Sequence, residues 1–431
     1  MMNLYVISLG CDKNRVDTEK MLYRLRGMFD VVADIEQADV IIINTCGFIE
    51  PARVEAIDTI LEAIECKSRR CSKLIVTGCL PQKYMDELKE SLPEVDAFLG
   101  TNDYDKIVDV INCDQRVCYN SSNPCVEIAG RIMTTPPHYA YLKIADGCDN
   151  FCTYCTIPSI RGKYRSVPIE QLISEARELV SSGVKELILV AQDVTRYGID
   201  LYSSYKLVEL IRELSKLDLS WIRLMYCYPE LVTDELIDEV VSNDKVVKYM
   251  DVPLQHIDGD ILRKMNRTTS ENDVLTLIDK LISKGIAVRT TLMTGFPTES
   301  DEQFDKLCQF VSSKKLRHVG VFAYCEEDTP SKKIKGKVPV RVRQNRAKTI
   351  SLLHKGNVAL YNKSMIGKIV RVLYEDVDYD KMMFVGRTAD CAPEIDTFVY
   401  FKADYASVGE FYNVRIIGVK GYDLIGEVVN E

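Results

Sequence analysis

The chain has 431 residues, 46% of them hydrophobic, and a formal net charge of −9. That length exceeds one ordinary core and that composition excludes a disordered chain, so two or three globular domains are expected. The acidic balance argues against general attraction to nucleic acid; the lack of a long apolar run or of a basic, cleavable leader in "MMNLYVISLGC" argues against a membrane span or secretion and predicts a cytoplasmic protein.

Three β-rich runs open the chain, "NLYVISLGC", "DVIIINTC" and "KLIVTGC", separated by helical patterns such as "EAIDTILEAIECKS". Apolar runs alternating with helices predict parallel strands and crossover helices, hence an α/β first domain over 1–118. Each run ends in a cysteine: Cys11, Cys46 and Cys79. Ligands of open parallel sheets bind at the carboxyl ends of the strands, so these three either meet at one edge as metal ligands or are small buried hydrophobes. Cys66, Cys71, Cys113, Cys118 and Cys125 show no such regularity and receive no role.

After a polar, Pro-containing connector, six strand-like runs alternate with helical ones, from "YAYLKIADGC" through "ELILVAQDV", "IRLMYCYP", "YMDVPLQH" and "AVRTTLMTGFP" to "HVGVFAYC". Six βα-type units predict a partial (β/α) barrel in a second domain over 134–363, with its chemistry in the loops that follow the strands. The first such loop, "DGCDNFCTYC", sets Cys148, Cys152 and Cys155 in a C-x3-C-x2-C pattern with Tyr154 before the last. Fifteen cysteines in a reducing compartment are not a disulfide framework, which leaves metal ligation as the leading use of a cluster. Structural and electron-carrying thiolate sites use four protein ligands, so a trio predicts a metal with one open position. The run from Thr329 to Tyr374 holds twelve Lys or Arg and no acid, and reads as a solvated helix face on "VRQNRAKTISLLHKGNVALYNK". Short strand patterns over 366–431 predict a small all-β barrel.

The triad after the first strand of a partial barrel resembles the radical S-adenosylmethionine superfamily. The blocks "SLGCDKNRVDTE", "NTCGFIEPARVEAI" and "TGCLPQ" are similar to those of its methylthiotransferase branch, and the final segment resembles that branch's TRAM module. The resemblance implies two 4Fe-4S clusters, one on Cys148, Cys152 and Cys155 and an auxiliary one on Cys11, Cys46 and Cys79. Each keeps one open iron, the first for S-adenosylmethionine and the second for the sulfur to be inserted. One S-adenosylmethionine then methylates that sulfur, and a second is cleaved reductively to the radical that takes hydrogen from substrate carbon. The resemblance further implies Tyr154 near the adenine, Gln192 and Asp193 near the methionine amine, and Gln255 near the ribose with Arg263 as carboxylate partner. Gly295 and Pro297 would lie beside the adenosine, the glycine letting backbone approach it. His256 is expected to be structural rather than substrate-facing.

"SLGCDKN" with "PLQH" resembles the branch that modifies the β-carbon of an aspartate in a small-subunit ribosomal protein, whereas the branch modifying a tRNA adenosine more often reads "GCQMN" and "PVQSGS". Asp12 departs from the residue common in the family but is not a ligand position. The tail adds a physical reason: from Ser364 onward it has twelve acids against seven bases, which repels phosphate and suits a basic ribosomal protein. Glu375, Asp376, Asp378 and Asp380 in "YEDVDYD" are expected in a strand-connecting loop that docks this substrate. The expected partners are thus that protein, an electron donor and a sulfur source, with tRNA disfavoured; a non-catalytic iron-sulfur adaptor is the reading from another class.

Overall fold

The computed structural model describes residues 2–122 and 130–429, so Cys125 lies outside the described residues. The chain separates into two compact units. One comprises Met1–Thr134, Asp146–Arg165 and Glu327–Thr329; the other comprises Thr135–Ala145, Ser166–Glu326 and Pro330–Glu431.

The first unit is built on a six-stranded parallel sheet in the order Phe29–Val31, Met2–Ser8, Val40–Thr45, Lys73–Gly78, Ala97–Leu99, Val117–Tyr119. Helices Asp12–Arg24, Glu50–Glu65 and Cys79–Ser91 follow the three long strands. Ile41, Ile43, Leu74 and Val76 pack one face, and Val40, Ile42 and Ile75 pack the other. Burial on both faces is why these strands read as unbroken apolar runs. Cys66 and Cys71 belong to the first of these cores and act there as small hydrophobes.

In the second unit, all six expected strands form one parallel sheet in chain order: Tyr139–Lys143, Glu186–Val190, Trp221–Leu224, Val246–Asp251, Ala287–Thr294 and His318–Ala323. The sheet is open, a partial barrel. The basic run forms the long helix Val340–Met365, which leads into a closed five-stranded barrel of Ile369–Asp378, Met383–Arg387, Val399–Lys402, Phe411–Lys420 and Asp423–Val428. Val372, Tyr374, Val399, Phe401, Val414, Ile416 and Leu424 fill it.

A buried ion network joins the small barrel to the sheet. Glu186 accepts from Arg223 Nε at 2.7 Å and from Arg387, and Arg387 Nε reaches Glu375 at 2.7 Å, where His138 Nε2 also lies 3.1 Å away. Burial would raise the Glu186 carboxyl, but the two guanidinium charges hold it below its ordinary value.

This network corrects the expectation for the acidic stretch. Glu375, Asp376 and Asp378 lie in strand Ile369–Asp378, not in a loop, because its ladder to Met383–Arg387 runs through Asp378; Asp380 lies in the turn between the two strands, as expected. Glu375 is spent on Arg387 and Asp378 on Lys381, so only Asp376 and Asp380 of the four stand exposed. Among the described residues no helix is long and apolar enough to cross a membrane.

Candidate functional site

Strands Met2–Ser8, Val40–Thr45 and Lys73–Gly78 are neighbours whose ends are level, with Ser8 paired to Asn44 and Thr45 to Gly78. Cys46 and Cys79 are therefore the first residues beyond one paired couple, and Cys11 lies three residues past Ser8. Adjacent strands are about 4.8 Å apart, so the sheet itself gathers the three cysteines at one edge.

Two glycines make the approach possible. Gly10 has φ +92°, and a Cβ there would lie 2.8 Å from Cys46 Cβ; Gly78 has φ +105°, and a Cβ there would lie 2.3 Å from Asn44 Oδ1. Asn14, fully buried in the helix that follows Cys11, ties the edge together. Its Nδ2 donates to Leu9 O and Thr45 O, each at 3.1 Å, while its Oδ1 lies 4.0 Å from Cys11 Sγ and 3.7 Å from Cys79 Sγ.

Burial pushes the Cys79 thiol up to about 12 and raises that of Cys46, and the Arg161 charge opposes both shifts. Cys11 is exposed, Cys46 half-buried and Cys79 buried. Thiols held this way give up their protons on binding metal, and an edge with one solvent-facing member fits an iron cluster that keeps an open position. Among the described residues no three His, Cys, Asp or Glu side chains converge on a point that would hold a single ion.

The second trio sits in the loop after Tyr139–Lys143, and this loop is part of the first unit. Cys148 N donates to Gly162 O at 3.1 Å, Cys155 N to Cys152 O at 3.0 Å, and Ile157 N to Cys155 Sγ at 3.4 Å. Cys148 and Cys152 are buried; Cys155 and Tyr154 are half-buried. A sulfur that accepts from a backbone amide, as Cys155 does, suits a thiolate ligand.

The loop ends in Arg161, a residue sequence reasoning passed over. It is 2% exposed and bonds both oxygens of Asp146, Asn14 Oδ1 and Asp17 Oδ2. Its neighbours are up to 147 residues distant in the chain, so no local pattern announces it.

The remaining candidates lie in the second unit. Gln192 and Asp193 follow strand Glu186–Val190; Asp193 is fully buried, its Oδ1 accepting from Thr195 N at 3.0 Å and Thr195 Oγ1 at 2.5 Å. Gln255 adopts φ +67° and is locked to the next strand, its N donating to Thr291 O and its O accepting from Met293 N, both at 2.7 Å. That places it beside strand Ala287–Thr294, which Gly295 follows. Gly295 has φ +73°, and a Cβ there would lie 2.2 Å from Arg343 Cγ, so close packing of the long helix already requires a glycine. Pro297 is buried in the same turn. Arg263 stands apart, exposed on helix Gly259–Lys264 and paired with Asp260. His256 is fully buried, with Nδ1 accepting from Asp258 N at 2.9 Å, a structural placement.

Comparison with known proteins places the chain. Residues 142–311 match the radical SAM superfamily, 3–100 the uncharacterized protein family UPF0004, and 366–429 the TRAM domain. The chain is 46% identical to the ribosomal protein uS12 methylthiotransferase RimO of Clostridium botulinum (strain Eklund 17B / Type B), over 99% of this chain and 98% of that protein. It is 44% identical, with the same coverage, to the protein of that name from Clostridium tetani (strain Massachusetts / E88). Among solved structures, the radical S-adenosylmethionine methyltransferase TsrM from Kitasatospora setae aligns with TM-score 0.56 at 12% identity, covering 76% of this chain and 73% of that one. The cobalamin-dependent radical enzyme OxsB aligns with TM-score 0.53 at 12% identity, covering 82% and 56%. These two likenesses are of fold. Identity sustained over nearly the full length of both chains shows more: the chain belongs to the ribosomal protein uS12 methylthiotransferase (RimO) family of radical SAM enzymes.

Proposed function

We propose that this enzyme adds a methylthio group to the β-carbon of an aspartate in ribosomal protein uS12, using two 4Fe-4S clusters and S-adenosylmethionine. The observation that carries the reading is the pair of separate cysteine trios in a chain collinear with uS12 methylthiotransferases. When bound, the clusters and S-adenosylmethionine supply the one-electron chemistry, the methyl group and the sulfur.

The chain's own residues divide the work. Cys148, Cys152 and Cys155 hold the cluster that meets S-adenosylmethionine, with Tyr154, Gln192, Asp193, Gln255, Gly295 and Pro297 around the cofactor. Cys11, Cys46 and Cys79 hold the auxiliary cluster, and Asn14 fixes the loops that carry them. Three domains correspond to these tasks: 1–118 for the auxiliary cluster, 134–363 for radical generation and 366–431 for substrate. An electron donor and a sulfur source complete the reaction, and the cytoplasm is where they and uS12 are met.

Replacing Cys148, Cys152 and Cys155 by Ala should abolish reductive formation of 5′-deoxyadenosine. Replacing Cys11, Cys46 and Cys79 should preserve that cleavage and stop sulfur insertion, and each triple variant should lose about half the iron. Methylthiolation and full iron in the second variant would overturn the assignment.

A further inference from the structure

Arg161 is more heavily engaged than a buried arginine needs. Its Nη1 donates to both oxygens of Asp146, at 2.9 and 3.1 Å, and this ion pair already neutralises it. Its other nitrogen, Nη2, bonds Asn14 Oδ1 at 2.6 Å and Asp17 Oδ2 at 3.0 Å, and these two acceptors hold it 3.8 Å from Cys79 Sγ. Asp146 lies two residues before Cys148 and Arg161 lies six after Cys155, so the ion pair closes the base of the loop that carries the second trio. One side chain thus fixes that loop and faces a ligand of the other trio, all within the first unit.

We propose that Arg161 is a positioning residue that sets the charge environment of the auxiliary cluster through Cys79. The proposal rests on the reading of Cys11, Cys46 and Cys79 as that cluster's ligands. Cluster potentials respond to hydrogen bonds at the sulfurs and to nearby charge, and a buried site screens such charge weakly. A guanidinium beside Cys79 favours both the thiolate and an added electron; Asp17, on the same nitrogen, works against it with the opposite sign. The balance of the two sets how readily the auxiliary cluster is reduced and how well its open iron holds an anionic sulfur ligand.

The test uses the full-length chain carrying Cys148→Ala, Cys152→Ala and Cys155→Ala, so that only the N-terminal cluster remains, reconstituted anaerobically and titrated by electron paramagnetic resonance. Arg161→Gln should lower the midpoint potential of that cluster, Asp17→Asn should raise it, and Arg161→Lys should fall between Arg161→Gln and the parent. A purely structural role predicts changes in iron loading or melting temperature with no ordered, opposite shifts. If Arg161→Gln fails to load iron, Asp17→Asn and Arg161→Lys still decide the matter. Unchanged potentials in iron-loaded Asp17→Asn and Arg161→Lys would overturn the proposal. Full iron in the separate variant lacking Cys11, Cys46 and Cys79 would instead overturn the ligand reading beneath it.

Discussion

Asn14→Leu replaces a fully buried amide by an apolar side chain of similar size, and the structure says what that should cost. The carbonyls of Leu9 and Thr45 each lose a donor at 3.1 Å, and Arg161 loses its shortest acceptor, at 2.6 Å. A buried polar group stripped of its partner costs about 1–3 kcal/mol, so the buried Thr45 carbonyl predicts a loss of that size, and the part-buried Leu9 carbonyl, which water can reach, adds less. Arg161 adds little, since it keeps Asp146 and Asp17. Urea unfolding of the iron-free protein followed by circular dichroism measures the loss, and iron analysis of the reconstituted variant measures the site. Asn14→Asp retains the acceptor for Arg161 and loses the donors, so it separates the two contributions. A loss below about 0.5 kcal/mol, the scatter of an ordinary surface change, with full iron in Asn14→Leu, would refute the claim that Asn14 ties the strand ends together.

Arg387→Met should destabilise by about 3–5 kcal/mol, because it leaves fully buried Glu186 and largely buried Glu375 short of a cation; thermal unfolding checks it, and Glu186→Gln in the same chain should restore part of the loss. Gly78→Ala should cut iron to about half, since its Cβ would lie 2.5 Å from Thr45 O and displace the turn into Cys79. Burial, with the charges of His318 and Arg317 beside it, lowers His354 to about 4. Its unfolded value is about 6.5, so the unfolded chain takes up the proton first and stability, intact above about pH 6.5, falls as pH drops toward 4. The loss is of order 2 kcal/mol by pH 5, and unfolding at pH 7 and pH 5 should show that His354→Gln flattens it. Asp376→Asn with Asp380→Asn should slow uS12 association and flatten its salt dependence in stopped-flow binding, whereas Glu375→Gln should act on stability instead.

Much of the architecture was legible because parallel strands buried on both faces leave unbroken apolar runs, as Val40–Thr45, Lys73–Gly78 and Glu186–Val190 do, whereas Ala287–Thr294 alternates buried with half-buried positions and was marked by its place between helical runs. The short strands Phe29–Val31, Ala97–Leu99 and Val117–Tyr119 were not, since three residues carry too little pattern. The strand-end cysteines were visible because a run's last residue maps onto a sheet edge, a geometric consequence of parallel pairing. Arg161 and Asn14 were invisible as a pair, their contact spanning 147 residues. The acidic stretch misled because charge density looks like a loop from sequence, while Glu375 faces Arg387 and its strand continues through Asp378. Gly295 was expected to make room for the cofactor, and the atom nearest its missing Cβ belongs to Arg343.

The central claim is that this chain inserts sulfur into a ribosomal protein rather than into tRNA. The most direct measurement incubates the reconstituted enzyme anaerobically with S-adenosylmethionine, a reductant and sulfide, offering uS12 and unmodified tRNA together, and analyses both by mass spectrometry. A methylthio group on an aspartate of uS12, with tRNA unchanged and the product absent when Cys11, Cys46 and Cys79 are replaced, is the predicted result. A methylthioadenosine in tRNA with unmodified uS12 would contradict it.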